Sequence, residues 1–237
     1  MNIHPLSRAE LDALARDGKV LEADGHGVKV VALPDGRILK FFRRKRRFNR
    51  DLLAPAALRF ARHALRLQRL GIPTLRVDSL HRVAGEPHSV AVYQPLAGST
   101  LRELLRDGHA SPQLMYRVGA FLALLHRKGV FFRSVHPGNI IVTPQQHFGL
   151  IDLLDMKVRP WSMSRWARRR NWLHFLRTPQ DRPFLSPALL DAVILGYVDN
   201  ADLPQRELAT VGSHAWGSYQ AAGQTASQHS GRPGSGA

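Results

Sequence analysis

Cysteine is absent from the 237 residues, which excludes disulfides and thiolate metal sites and is compatible with a reducing compartment. Acid is in short supply, with eighteen acidic residues against thirty-four basic ones and a formal net charge of +16. Lysine is scarce as well: six of the basic residues are Lys, leaving twenty-eight Arg (34 − 6). Long apolar runs are missing. Arg8, Glu10, Asp12, Arg16 and Asp17 interrupt the stretch from Met1 to Val20, so nothing there resembles a signal peptide or a membrane span, and the chain is expected to be soluble. No internal repeat is visible. What remains is ordinary: 44% hydrophobic residues and enough length for one good core or two small lobes.

The excess of arginine is the unusual bulk feature. A guanidinium is a planar fork that binds phosphate bidentately, which an ammonium does not. The charge therefore points to an anionic partner, whether nucleic acid, an anionic membrane face or a phosphorylated substrate. The alternative is a solvated basic surface. No helix-turn-helix, zinc or RNA-binding signature supports nucleic acid, which is not the expected partner.

Along the chain, residues 5–20 read as a short amphipathic helix with Ser7 as N-cap and Gly18 near its end. Val28 to Leu33 and Arg37 to Phe42 are β-rich runs around Pro34-Asp35-Gly36, a hairpin signature, and the basic run Arg43 to Arg47 follows. A helix is predicted over about Pro55 to Leu70, ended by Gly71 and Pro73. Strands are predicted over Leu75 to Leu80 and Ser89 to Gln94, split at Gly85-Glu86-Pro87. Gly98-Ser99-Thr100 caps a helix at Leu101 to Arg106, and a strong apolar helix spans about Gln113 to Lys128. Asn139 to Val142 and Gly149 to Leu153 are short strands around a Thr143-Pro144 turn. Helices follow at Met163 to Leu176 and Pro187 to Val198. From about Pro204 the sequence drifts into Gly, Ser, Gln and Ala, the composition of an unstructured tail.

Chemistry concentrates in one segment. A helix ends at Gly129, and a loop, Phe132-Arg133-Ser134-Val135-His136-Pro137-Gly138, feeds a short apolar strand through Asn139. Thirteen residues on, Asp152 interrupts the apolar run Gly149-Leu150-Ile151-Asp152-Leu153-Leu154. A carboxylate in such a run is costly unless it meets a metal, a cation or a hydrogen-bonded turn. A loop Asn and a strand-end Asp joined by a hairpin suit Mg²⁺, which takes oxygen ligands and shares them with substrate phosphates.

On these residues the chain resembles the protein-kinase-like superfamily. Its catalytic loop reads H-R-D-x-x-x-x-N, followed by D-F-G. Phe132-Arg133-Ser134 takes the H-R-D place, Asn139 falls on the Asn, and Asp152-Leu153-Leu154 takes the D-F-G place. His136-Pro137-Gly138-Asn139 and the preceding Leu125-His126 look like the small-molecule branch, most similar to the lipopolysaccharide core kinases that act on Kdo or heptose. The resemblance runs roughly from Gly25 to Val198.

It implies a bilobal α+β fold with a small β-rich N-lobe and a mostly helical C-lobe, and the cofactors ATP and Mg²⁺. Lys40, on the second hairpin strand, would be the phosphate-gripping Lys. Gly25 and Gly27 in Asp24-Gly25-His26-Gly27 would form a reduced Gly-rich loop, with Val30 in its third Gly place. Tyr93 and Gln94 would lie in the hinge whose backbone holds adenine. Asn139 and Asp152 would carry the metal.

Two departures accompany it. Ser134 stands where the catalytic Asp should be, and serine is no base at neutral pH without help, which leaves Asp155 and His136 as substitutes. The helix that should offer a Glu to Lys40 offers Arg59, Arg62, His63 and Arg66. The A-P-E motif is also missing.

The expectations are therefore an N-terminal helix (1–20), a kinase-like domain (21–203, dividing near 94/95) and an unstructured tail (204–237). The expected activity is phosphorylation of a lipopolysaccharide inner-core sugar, with a nucleotide- or partner-binding pseudokinase as the alternative. The expected location is cytoplasmic, at the inner membrane's inner face. Trp161, Trp166 and Trp172 among Arg165, Arg168, Arg169 and Arg170 suit either a membrane interface or a core helix with a solvated Arg face.

Overall fold

The computed structural model describes residues 2–25, 27–43, 55–86, 88–208, 210, 213–217 and 219–220. The fold is α+β and forms two compact units, Met1–Ala97 with Gly149–Leu154, and Gly98–Phe148 with Asp155–Ala237. His26, Pro87 and residues 44–47 of the basic run lie outside the described residues.

The first unit holds β1 (Ile3–Leu6), α1 (Arg8–Ala15), β2 (Lys19–Asp24), β3 (Gly27–Ala32), β4 (Ile38–Arg43), α2 (Ala56–Arg69), β5 (Arg76–Val83) and β6 (His88–Gln94). Its six-stranded sheet has the order β1-β5-β6-β4-β3-β2, antiparallel except for the parallel β1–β5 pair. The β3–β4 hairpin closes as its sequence dictates. Leu33 N donates to Arg37 O at 2.8 Å, Gly36 takes φ +82°, and Asp35 accepts from Arg37 N at 3.0 Å.

Alternation along β4 sends Leu39 to one face and Lys40 and Phe42 to the other. Leu39 packs with Leu11 of α1 and with Val31, Val90 and Val92. On the other face Phe60 of α2 is fully buried, 5.2 Å from the Phe42 ring and 5.5 Å from Tyr93.

The predicted helix over 5–20 is shorter than its signals and is flanked by two strands. Ser7 does cap α1, its hydroxyl accepting from Glu10 N at 3.2 Å while the Glu10 carboxylate accepts from Ser7 N at 2.8 Å. Beyond Ala15, however, the chain turns into β2, exposed along its whole length at the sheet edge. Burial periodicity therefore leaves no trace there.

The second unit contains β7 (Ser99–Thr100), α3 (Leu101–Arg106), α4 (Pro112–Arg127), β8 (Val130–Phe132) and β9 (Ile140–Val142). The chain leaves it within β10 (Phe148–Leu150) and returns for β11 (Met156–Val158), α5 (Arg165–Leu176) and α6 (Pro187–Asn200). Thr100, Ser111, Ser164 and Ser186 cap α3, α4, α5 and α6. Helices α4 and α6 meet backbone to backbone. A Cβ on Gly119 would fall 2.0 Å from Val193 O, and one on Gly196 would fall 1.8 Å from Tyr116 O.

The predicted strand over 149–153 ends at Leu150, because Asp152 takes φ +54° and cannot continue it. The tail composition at 204 also misleads. Residues 205–208 and 213–217 are helical, Ala215 is fully buried, and Tyr219 OH donates to Leu185 O at 2.9 Å. A few well-placed apolar and aromatic groups suffice there despite the polar average. Residues 221–237 lie outside the described residues.

Candidate functional site

In the first unit, Lys40 and Asp152 meet across 112 positions of sequence. Lys40 Nζ donates to Asp152 Oδ1 at 2.5 Å. Lys40 reaches this point from the α2 face of β4, its ammonium 5.7 Å from the Phe60 ring and 6.0 Å from Phe42. Asp152 is delivered by an independent set of bonds. Leu150 N donates to Pro73 O at 3.0 Å, and Thr74 Oγ1 donates to Leu150 O at 2.6 Å. The left-handed turn at Asp152 then lifts the carboxylate out of the strand line, and a non-glycine residue held there costs free energy that the surrounding bonds must offset. The Asp152 side chain keeps half its surface exposed, against 17% for Lys40.

One residue of this arrangement escaped the sequence reading. His63, on the helix without acids, places Nδ1 2.6 Å from Leu153 O, so α2 grips the residue after Asp152 through its backbone. Burial pushes the His63 imidazole below its usual range, with Leu153 O opposing and Arg66 and Arg59 reinforcing. A neutral His63 that donates through Nδ1 fits this bond. The Glu-to-Lys pairing of kinases has no counterpart on α2, and Asp152 supplies the carboxylate that Lys40 finds.

Tyr93 and Gln94 end β6. Tyr93 pairs with Ile38 and Val77 in the sheet, and burial pushes its phenol well above the usual range, helped by the charges of Asp152 and Glu22. Gly25 and Gly27 sit at the tip of the β2–β3 hairpin. Gly27 has φ +112°, and a Cβ there would lie 2.8 Å from the Arg43 guanidinium, which bonds Asp24 at 3.2 Å. The tip thus carries a carboxylate neutralised by Arg43 and Lys29.

In the second unit, the loop after β8 folds on itself. Asn139 Nδ2 donates to Ser134 O at 2.9 Å, and Asn139 N donates to His136 O at 2.8 Å. With the amide nitrogen committed, Oδ1 is the atom Asn139 retains for a cation. His136 faces inward, Nδ1 lying 3.3 Å from Arg102 Nη2 and Nε2 lying 3.3 Å from Asn139 Nδ2. Arg102, a second residue the sequence did not flag, grips the buried Asp181 through Nε–Oδ1 and through Nη2–Oδ2 at 2.9 Å. A neutral imidazole accepts one hydrogen bond, so two facing donors make His136 a brace of the loop. Arg133 N donates to Asp155 O at 2.9 Å, which fixes the backbone on either side of Ser134, while the Asp155 side chain is exposed.

Behind the loop lies a buried polar network. His126 Nδ1 is 2.8 Å from Tyr197 OH and its Nε2 is 3.0 Å from Asn171 Oδ1. Asn171 Nδ2 donates to Phe132 O at 2.6 Å, and Arg168 Nη1 donates to Tyr197 OH at 3.2 Å. The three tryptophans of this region divide. Trp161 and Trp166 are exposed, while Trp172 is buried edge-on to Phe175 and Tyr197, so it belongs to the core reading of α5 and the others do not.

Among the described residues no three His, Cys, Asp or Glu side chains converge to hold a metal. Mg²⁺ does not ask for that many, being bound through one or two carboxylates with substrate phosphates and water. The half-exposed Asp152 carboxylate and the oriented Asn139 amide each have the right donor chemistry for such an ion.

The architecture is that of a β-rich unit carrying the Lys–Asp pair and a helical unit carrying the loop. No family model matches the chain and no curated protein matches it in sequence. Among solved structures it is similar to the bifunctional kinase-methyltransferase WbdD. A medium-resolution structure aligns at 17% identity and TM-score 0.47, covering 81% of this chain and 46% of that one. A high-resolution structure aligns at 17% identity and TM-score 0.47, covering 81% and 47%. The chain spans less than half the length of these proteins, and a likeness this distant assigns no activity to it.

Proposed function

We propose that this protein is an ATP- and Mg²⁺-dependent phosphotransferase acting on a sugar hydroxyl of the lipopolysaccharide inner core. The observation that carries the reading is the Lys40–Asp152 pair, with Asp152 held in a left-handed conformation. Lys40 would give up its carboxylate for phosphate oxygens of a nucleotide, and Asp152 and Asn139 are the residues that would each offer an oxygen to the cation. Mg²⁺ supplies charge neutralisation at the phosphates. Tyr93 and Gln94 present β6 backbone to the base. The loop braced by His136, Arg102 and Asp181 fixes where the acceptor hydroxyl sits, and positioning of this kind provides most of phosphoryl-transfer catalysis. Ser134 occupies the place of the proton acceptor, Asp155 or His136 would take over that role, and general-base help is worth about 10²–10⁴-fold.

The acceptor class comes from the resemblance of the catalytic segment to the Kdo and heptose kinases. The place of action we infer is the cytoplasmic face of the inner membrane. Among the described residues no helix is long and apolar enough to cross a membrane. Exposed Trp161 and Trp166, set among arginines, are suited to peripheral contact with an anionic surface. Binding to anionic vesicles should weaken with added salt, and equal recovery on neutral vesicles would refute the contact.

A specific observation also favours a pseudokinase: Ser134 replaces the expected base, and Lys40 has no acid on α2. ADP release and phosphate incorporation into purified core lipopolysaccharide separate the two readings. Wild type should turn over slowly and Asp152→Asn should abolish Mg²⁺-dependent nucleotide binding in a folded protein. Unchanged Mg·ATP affinity in that variant would sink the metal assignment. Nucleotide binding without incorporation would establish the pseudokinase.

A further inference from the structure

Helix α5 presents Arg170, His174 and, one residue past its end, Arg177 at spacings of four and three, so the three share a face. Arg177 Nη2 donates to Arg133 O at 3.3 Å, which carries the end of this face to the first residue of the catalytic loop. His174 is buried to 7% exposure with its ring edge-on to Phe131 at 6.0 Å. Among the described residues no donor or acceptor reaches either of its ring nitrogens. A buried polar group without a protein partner calls for an explanation, and a bound anionic group is one that its surroundings favour.

The surroundings define that group. Arg177, Arg133 and Arg170 act on His174 as positive charges and Asp155 as the single negative one. Among the described residues the three guanidiniums meet no carboxylate within ion-pair distance. Arg170 instead stacks on Trp166, 5.2 Å from its ring. Three arginines against one aspartate favour an anion here, and forked donors suit the oxygens of a phosphate.

We propose that Arg133, Arg170, Arg177 and His174 form a binding site for a phosphate monoester group. On the phosphotransferase reading, the acceptor then already carries a phosphate, which docks here while a neighbouring hydroxyl is presented at Ser134. The binding site itself does not depend on that reading.

The test is a ³¹P NMR titration of the full chain with inorganic phosphate, run on wild type, Arg170→Gln/Arg177→Gln and Lys40→Met. Both arginines are exposed, so the double variant folds, which circular dichroism checks. Wild type and Lys40→Met should bind phosphate alike. The double variant should bind roughly 10²–10⁴-fold more weakly, the loss expected from two charge-assisted hydrogen bonds. A second readout is the His174 imidazole, held down to about 4 by burial first and then by Arg177, Arg133 and Arg170. Its pKa should rise when phosphate binds. Glucose 6-phosphate and phosphatidic-acid vesicles, titrated in the same way, distinguish a soluble from a lipid source of the group. The proposal is overturned if wild type binds no phosphate or if the double variant binds as wild type does. It is equally overturned if binding is lost in Lys40→Met, which would place the anion at the nucleotide lysine. Absent ADP release with phosphate binding intact would remove the phosphotransferase reading and leave this site standing.

Discussion

Among the described residues the sheet unit buries Ser89 as its one fully enclosed polar side chain, whereas His126, Asn139, Arg168, Asn171, His174 and Asp181 are all enclosed in the helical unit. The sheet unit keeps its ions at the rim, in pairs such as Arg8–Glu86, Lys29–Glu22 and Arg37–Asp35. Solvent carries most of the cost of those charges, and the pairs add little. Enclosed polar groups are a different matter, because each must find its partner inside or go without. The helical unit has therefore committed its interior to bonds that end at β8 and the loop after it, Asn171 on Phe132 O and Arg102 beside His136. The sheet unit, by contrast, fills its interior with apolar packing and sets the half-exposed Lys40–Asp152 pair on its face. One unit is specified by its interior, the other by its face.

The largest way to sharpen this contrast is chemical. Ser134→Asp restores the carboxylate of the kinase loop. If base catalysis is what the wild type lacks, turnover should rise by up to ~10²–10⁴-fold, measured as phosphate incorporation into core lipopolysaccharide. If the base has moved to Asp155, the substitution should be neutral or harmful, and Asp155→Asn run alongside should then abolish turnover.

Next in size is a break in the helical unit's packing. Gly196→Ala drives a methyl into the Tyr116 carbonyl, which α4 cannot move without its whole length following. Overpacking of this kind should cost about 3 kcal/mol by urea denaturation. A variant as stable as wild type would show that the two helices do not meet at their backbones.

The smallest effect is a pH dependence. Burial pushes the His126 imidazole down to about 3, Arg168 adding to the shift and the Asn171 bond opposing it. An unfolded chain protonates this group near 6.5 and the folded chain does not, so below 6.5 the unfolded state binds more protons. Stability is then present above about 6.5 and is lost as pH falls toward about 3, with His174 contributing over part of the same window down to about 4. His126→Gln should flatten part of the slope of urea midpoint against pH. An unaltered slope would mean that His126 does not stay neutral in the folded protein.

The sequence made the local parts of this structure readable and the long-range parts less so. Ser7, Ser99-Thr100 and Gly71 announce helix ends by chemistry that acts over four residues, and the Pro34-Asp35-Gly36 turn does the same for a hairpin. Lys40, Asn139 and Asp152 were visible because spacing to a motif is also a local property. That Lys40 would pair with Asp152 was not, since the contact spans 112 positions and neither residue's neighbourhood mentions the other. His63 and Arg102 were hidden for the same reason. Each looks like one more basic residue on a helix, and only the fold reveals Leu153 O and Asp181 as their partners. Strand β1 was obscured by Pro5, which a central strand would not tolerate but an edge strand does.

The two margins of the six-stranded sheet are unequal in a way that bears on how the protein fails under stress. At the β1 margin, Pro5 removes a backbone donor and so spoils the ladder an incoming strand would need. At the β2 margin no proline interrupts Lys19–Asp24, although the register against β3 shifts on either side of Glu22, and Val20 and Leu21 are both more than half exposed there. That irregularity and the charges of Lys19, Glu22 and Asp24 stand guard over the ladder. Self-association through strand addition is therefore expected to begin at β2, and conditions that mute those charges, such as high salt, weaken the guard before the fold itself is lost.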